Sequence, residues 1–199
     1  MYGDSVLRAQ TQPIADAKAT FTVPGFEPVD RRALARNMLE TMYEAEGVGL
    51  AAPQIGLPLR MFVAAEYDDD HADGQPKPLR ARVLREFVFI NPMLEVIDPT
   101  PESRYLDGCL SIPGVYEDGV MRPQAIRITY SDEHGARHQL EADDYFARVV
   151  QHEYDHLFGR LFLDLLPAAV TEKHRSYLVQ LQREAKAYLK SLGKNRDQR

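Results

Sequence analysis

The chain has 199 residues, 24 Lys/Arg against 30 Asp/Glu, a net charge of −6 and 44% hydrophobic residues. That is the composition of a globular chain with one sizeable core, expected to form a single domain over 1–199. A single cysteine forms no internal disulfide, and no stretch approaches the ~18 apolar residues of a membrane span, so the expectation is a reducing cytoplasm, with no membrane and no DNA partner.

In chain order, residues 30–46 read as an amphipathic helix. Asp30 is its N-cap, Leu34, Met38 and Met42 share a face, and Gly47 ends it. Strand patterns follow at 60–67, 87–97 and 125–131, the last leading through Asp132-Glu133-His134-Gly135 into a hairpin partner at 136–142. Between the first two strands, residues 67–86 are charged and rich in turn formers and read as an exposed loop insertion. His71 beside three aspartates is a solvated acidic loop on this reading and not a metal site. Residues 142–159 read as a helix with Asp143 or Asp144 as cap and Gly159 as stop. A last helix is expected at 171–192, with Leu178, Leu181, Ala185, Tyr188 and Leu192 in one stripe. It opens a basic C-terminal segment, 171–199. From Glu172 onward eight Lys/Arg face three Asp/Glu, so the body of the chain is more acidic than its total suggests.

The chemistry begins at His152-Glu153-Tyr154-Asp155-His156. Residues four apart on a helix lie on one face, so two imidazoles can grip one metal ion from the same side. Glu153 can flank that ion and shuttle a proton. The neighbours Val149, Val150, Leu157 and Phe158 argue for a buried helix over a surface helix with two ordinary histidines. A catalytic metal site needs a third ligand and an open position. In the HExxHxxGxxH continuation Gly159 fits, but the last position is Phe162, which cannot ligate. Glu172, Asp164 and Cys109 remain as candidates; Cys109, flanked by Gly108 and followed by Pro113-Gly114, offers a thiolate suited to zinc or iron.

Three segments, GVGLAAPQ (47–54), DGCLS (107–111) and QHEYDHLFG (151–159), closely resemble in order the three signature motifs of bacterial peptide deformylases. GDSVLR near the start, INP at 90–92 and MRPQAIRITY at 121–130 support the likeness, which extends to about residue 165. It implies an enzyme that hydrolyses the formyl group from N-formylmethionine at the start of new polypeptides, releasing formate. It implies Cys109, His152 and His156 as ligands of one divalent metal, Fe²⁺ first, with Zn²⁺, Ni²⁺ or Co²⁺ able to substitute. A metal-bound water would be the nucleophile, Glu153 the general acid/base, and the Gln54 amide and Leu110 backbone N–H the oxyanion donors. Val48, Gly49 and Gly108 are implied in binding the substrate backbone, and Val48 and Val149 in walling the pocket for the methionine side chain. The implied fold is α+β, with antiparallel or mixed sheets folded around a central HExxH helix and a helix at each end.

Two departures stand out. Asp107 replaces the usual Glu, an acid expected to pair with Arg122, and Ser5 stands where Pro is common in a start expected to be shorter than typical. Two other functions compete. A generic zinc metallopeptidase would share HExxH without using Cys109. A non-enzymatic ribosome-associated protein would rest on the basic tail alone. Ribosome contact through the basic C-terminal helix competes with a packed terminal helix bearing a solvated basic face, and the packed helix is favoured.

Overall fold

The computed structural model describes residues 1–15, 19–22, 27–68 and 78–196, with side chains as far as Ser191. A short 3₁₀ turn, Ser5–Arg8, opens the chain and is capped by Asp4. Strands β1 (Thr20–Phe21) and β2 (Val29–Asp30) pair and lead into α1 (Arg31–Glu44). The Asp30 carboxylate accepts from Ala33 N at 2.8 Å, which satisfies one of the free amides of the first turn. Leu34, Met38 and Met42 are buried as their spacing requires, and Gly47 N donates to Met42 O at 2.8 Å where the helix ends.

The central sheet is antiparallel, in the order β3 (Gly49–Ala51), β4 (Met61–Tyr67), β5 (Val83–Glu102), β8 (Arg122–Ser131), β9 (Arg137–Asp143). Strand β4 shows why its sequence is apolar from Met61 to Ala65 rather than alternating. Met61, Val63 and Ala65 pack with Leu34, Met38 and Met42 of α1, whereas Phe62 and Ala64 pack with Val149 and Val150 of α2 (Asp144–His156) on the opposite face. Both faces of the sheet are covered, so both sets of alternating side chains must be apolar. A separate hairpin of β6 (Asp107–Cys109) and β7 (Ile112–Glu117) packs in a third cluster with Leu161–Leu163 and the last helices, α3 (Ala168–Lys173) and α4 (Arg175–Arg196). The architecture is α+β as expected. No described helix is long and apolar enough to cross a membrane.

Several boundaries differ from the sequence reading. Val83–Glu86, assigned above to an exposed loop, pairs with Ala65–Tyr67. Its charges are satisfied across the sheet surface, Arg85 with Glu66 at 2.6 Å and Glu86 by the Tyr43 hydroxyl at 2.7 Å, so a polar run need not be a loop. His71, Asp69 and Asp70 lie outside the described residues; Asp68 is described, and its backbone N–H donates to Arg82 O at 2.8 Å. Strand β5 also continues past residue 97, where the sequence reading ended it, through Pro99 and Pro101 to Glu102; register shifts flank these prolines and Pro92 and absorb the missing donors. Asp143 holds the N-cap position of α2, as one of the two expected candidates, but without a side-chain cap hydrogen bond. Asp143 still pairs in β9, and Asp144, at φ 52°, turns its carboxylate to the Tyr105 hydroxyl (2.8 Å) and to Arg104. Gly159 does end the α2 region; at φ 72° a Cβ there would lie 2.5 Å from Arg8 O. The last helix is broken at His174, whose imidazole pairs with Glu117 of β7. Leu178, Leu181 and Ala185 are buried, but Tyr188 is 54% exposed, because the stripe outruns the body it packs on. The side chain of Leu192 lies outside those described.

Candidate metal centre and active site

Helix α2 crosses the sheet with His152 and His156 on one face, both buried. Opposite them the β6–β7 hairpin presents Cys109 at the end of β6. Its Sγ lies 3.3 Å from His156 Nε2 and 3.5 Å from Gln54 Nε2. One donor atom from each of Cys109, His152 and His156 lies within 4.8 Å of the other two. Tetrahedral bonds of about 2.0–2.3 Å put ligand atoms about 3.4–3.6 Å apart, so the triad closes on an ion with little movement. A thiolate with two imidazoles is also the right chemistry for Zn²⁺ or Fe²⁺. The residues present fit a metal.

The tight turn around Cys109 has a steric cause. Gly108 pairs with Tyr116, and a Cβ on Gly108 would sit 2.5 Å from carbons of the Tyr116 ring. Gly47 is constrained in the same way by Leu110, at 2.7 Å.

Glu153 is buried beside the triad, and its Oε2 has no hydrogen-bond partner. Burial pushes its carboxyl up to about 7, against the opposing pull of His152 and Arg122. A buried, unpartnered oxygen with a pKa near neutrality is the condition for accepting and returning a proton. Gly49 makes room for it, since a Cβ there would lie 2.6 Å from Glu153 Oε1 and 2.7 Å from Cγ. Gly49→Ala is therefore expected to lower kcat/KM roughly 5–150-fold, the equivalent of the roughly 1–3 kcal/mol that overpacking costs. Circular dichroism should show the fold retained, and a wild-type rate would show that the carboxylate has no fixed position to lose.

The Gln54 side chain is held by its own oxygen, which accepts from Ala51 N at 2.6 Å and leaves Nε2 directed at Cys109. Above these groups opens a cavity of about 350 Å³, lined among others by Val48, Gly49, Leu110, Tyr145 and Val149. Strands β3 and β6 border it, each with a strand partner on one side only among the described residues.

Beneath the triad lies a buried ionic network. Asp107 Oδ1 is 3.4 Å from His152 Nδ1, while Oδ2 is 3.1 Å from Arg122 Nε and 3.6 Å from Arg148 Nη2. Burial raises the Asp107 pKa, but contact with His152 and the charges of Arg122 and Arg148 outweigh it and bring it down to about 2. Burial drives His156 well below its ordinary value, which leaves it neutral and ready to ligate. His152 is also pushed down by burial, yet contacts with Asp107 and Cys109 reverse this and raise it to about 10.

Comparison with known proteins is decisive about the family. Residues 1–172 match the model of the family described as polypeptide deformylase. The chain belongs to the peptide deformylase family. It is 46% identical over 196 residues to a peptide deformylase of Thermus thermophilus, covering 96% of this chain and 95% of the relative. It is 39% identical over 186 residues to one from Pseudothermotoga lettingae, covering 93% and 91%. The crystal structure of a peptide deformylase from Thermus thermophilus superposes with a TM-score of 0.77 at 42% identity, covering 92% of this chain and 96% of that one. The chain is thus a metal-dependent hydrolase of the deformylase type, which removes the N-terminal formyl group from nascent polypeptides.

Of the residues singled out as a deformylase site, Cys109, His152, Glu153, Gln54, Leu110, Val48, Gly49, Gly108 and Val149 line this one cavity, while His156 is buried behind it, 3.3 Å from Cys109 Sγ. The departure at position 107 leaves a direct contact, because the shorter Asp107 still reaches Arg122 Nε without an intervening water. Phe158, expected on a buried helix face, is 42% exposed beneath the guanidinium of Arg60. Sequence reasoning missed Asp155, which holds Arg122 from the far side at 2.9 Å, and Arg148, which ties Asp107 to Glu102. A signal for Arg148 was present: a single arginine in the apolar run Phe146–Val150, one turn before His152.

Proposed function

We propose that Cys109, His152 and His156 hold one divalent ion, Fe²⁺ in the cell with Zn²⁺, Ni²⁺ or Co²⁺ able to substitute, and that the cavity above them receives formyl-methionyl peptides as a single catalytic domain working in the cytoplasm. The observation that carries this is the convergence of three side chains able to ligate a metal, within 4.8 Å of one another, with Cys109, His152 and Glu153, whose Oε2 is unpartnered, at the foot of one cavity. When bound, the ion supplies Lewis-acid activation of water at neutral pH. Glu153 takes the proton released in the attack on the formyl carbon and returns it to the leaving amine. Gln54 Nε2 and the Leu110 backbone N–H donate to the oxyanion as charge develops on it.

The free edges of β3 and β6 support binding of the peptide as an added strand along Val48, Gly49 and Gly108. Val48 and Val149, both on the cavity wall, then contact the methionine side chain. For the basic C-terminal helix, burial of Leu178, Leu181 and Ala185 supports a packed terminal helix with a solvated basic face over contact with ribosomal RNA.

The test is formate release from formyl-Met-Ala-Ser by protein purified without oxygen and assayed for metal, since a thiolate-bound ferrous centre is open to oxidation. Formate with about one ion per chain is the expected result; a full metal complement with cleavage of unformylated peptides instead would transfer the site to a peptidase. Gln54→Ala should lower kcat roughly 10²–10³-fold with metal content unchanged, as loss of one oxyanion donor does. A loss confined to KM would contradict that role.

The pH profile follows from Glu153. Its carboxyl is raised to about 7 by burial, and only the ionised form accepts a proton, so kcat/KM should fall as pH drops below neutrality. A bound cation pulls this limb to lower pH. A rate that rises on acidification would exclude Glu153 as the base.

A further inference from the structure

Arg148 is the only arginine of α2 and is 2% exposed. A guanidinium taken out of water is costly unless its nitrogens find partners, and a bulky charge on a helix that otherwise faces an apolar sheet needs a reason. Its partners come from three separate segments. Nη1 donates to the backbone oxygen of Glu102 at 3.2 Å and reaches the Glu102 carboxylate at 3.3 Å; Nη2 donates to Val120 O at 2.7 Å and lies 3.6 Å from Asp107 Oδ2. The mechanism above uses none of these contacts.

Asp107 explains what they accomplish. The carboxylate reaches Arg122 through one nitrogen only, Nε, and Arg122 Nη2 is left buried without a partner. A single contact leaves a short carboxylate free to rotate. The second guanidinium removes that freedom at Oδ2, and the other oxygen, Oδ1, then stays against His152 Nδ1. A carboxylate fixed on the outer nitrogen of an imidazole sets which nitrogen is free to ligate and where it points.

We propose that Arg148 is a positioning residue of the metal centre. Anchored by Glu102 and Val120, it clamps the Asp107 carboxylate and thereby aims the His152 ring at Cys109 and His156. This rests on the reading of those three residues as ligands.

The test uses the Co²⁺-loaded full-length protein, because cobalt reports its own coordination by its visible spectrum and by a thiolate charge-transfer band. Arg148→Met keeps most of the stem length and removes the charge. It is expected to weaken Co²⁺ binding, measured by chelator competition, by about 10–100-fold and to shift the visible bands. Because Arg148 acts through Asp107, the same substitution in an Asp107→Asn background should add less than about threefold. Glu102→Gln, which touches Arg148 but no metal ligand, should weaken binding in the same direction by several-fold, and it carries the test if Arg148→Met does not fold. Wild-type Co²⁺ affinity and spectrum in a variant that folds, or full additivity with Asp107→Asn, would overturn the proposal and leave Arg148 a structural tie. Absence of a thiolate band in the wild type, or its persistence in Cys109→Ala, would instead remove the ligand assignment itself and the proposal with it.

Discussion

Replacing Glu153 by glutamine is expected to lower kcat for a formyl-methionyl peptide by roughly 10²–10⁴-fold, the range general acid–base catalysis supplies, while the protein keeps its metal and its fold. Glutamine has the volume of glutamate, so the space left by Gly49 is filled as before and no cavity opens. It presents an amide where a carboxylate oxygen had no partner, and an amide cannot take a proton at neutral pH. Burial of the wild-type carboxyl, which drives its pKa to about 7, is what brings its proton affinity near that of the medium. Neutralising the group should also stabilise the protein above neutrality: the native carboxylate is destabilised by its surroundings, and that cost grows as pH rises from the unfolded-state value toward the native pKa and is fully present above it. A drop in kcat with unchanged metal content and an equal or higher melting temperature is the expected combination. A variant that loses metal would make Glu153 a ligand or a ligand support, and would move the proton transfer elsewhere.

Replacing Cys109 by alanine should have the other large effect, of a different kind. The thiol faces His156 Nε2 at 3.3 Å and is the sole sulfur donor of the site. Without it two imidazoles remain on one helix, too few for a catalytic ion. Metal affinity should fall by more than about 100-fold, beyond what loss of an outer-shell partner costs, and formate release should fall with it. Activity restored by excess metal would show a weakened but competent site. A full complement of tightly bound metal in Cys109→Ala would mean that the third ligand is another residue, with Asp164 and Glu172 as the alternatives raised by the sequence. Asp164 caps the turn at Leu161 through its carboxylate and pairs with Arg8, and Glu172 lies 3.2 Å from Arg175, so both carboxylates are already engaged. The two variants separate the roles: one keeps metal and loses turnover, the other loses both.

Spacing within one helix was legible in the sequence alone. His152 and His156 at i and i+4 share a face in any helix, and Asp30, Leu34, Met38 and Met42 specify the start and buried side of α1 by the same periodicity. The apolar run at 60–67 announced a strand, although only the fold shows that both its faces are covered. The family motifs, read in order, named the candidate site residues before their positions in space were known, because a motif records chemistry and not distance.

What connects segments far apart in sequence was decided by the tertiary structure. That Cys109 stands 3.3 Å from His156 depends on a hairpin folding over a helix 47 residues further on. That Gly49 is glycine because of Glu153, and Gly108 because of Tyr116, follows from contacts no local pattern encodes. That β5 continues through Pro99 and Pro101 to Glu102 also depends on its partner, because a bulge is chosen by the partner strand as much as by the strand itself. Of the network of Glu102, Asp107, Arg122, Arg148 and Asp155, the family likeness anticipates only the Asp107–Arg122 pair; the other three join it through packing that their places along the chain do not specify. Local periodicity fixes which face a side chain takes; only the packing of elements fixes which charges leave water together and must therefore satisfy one another.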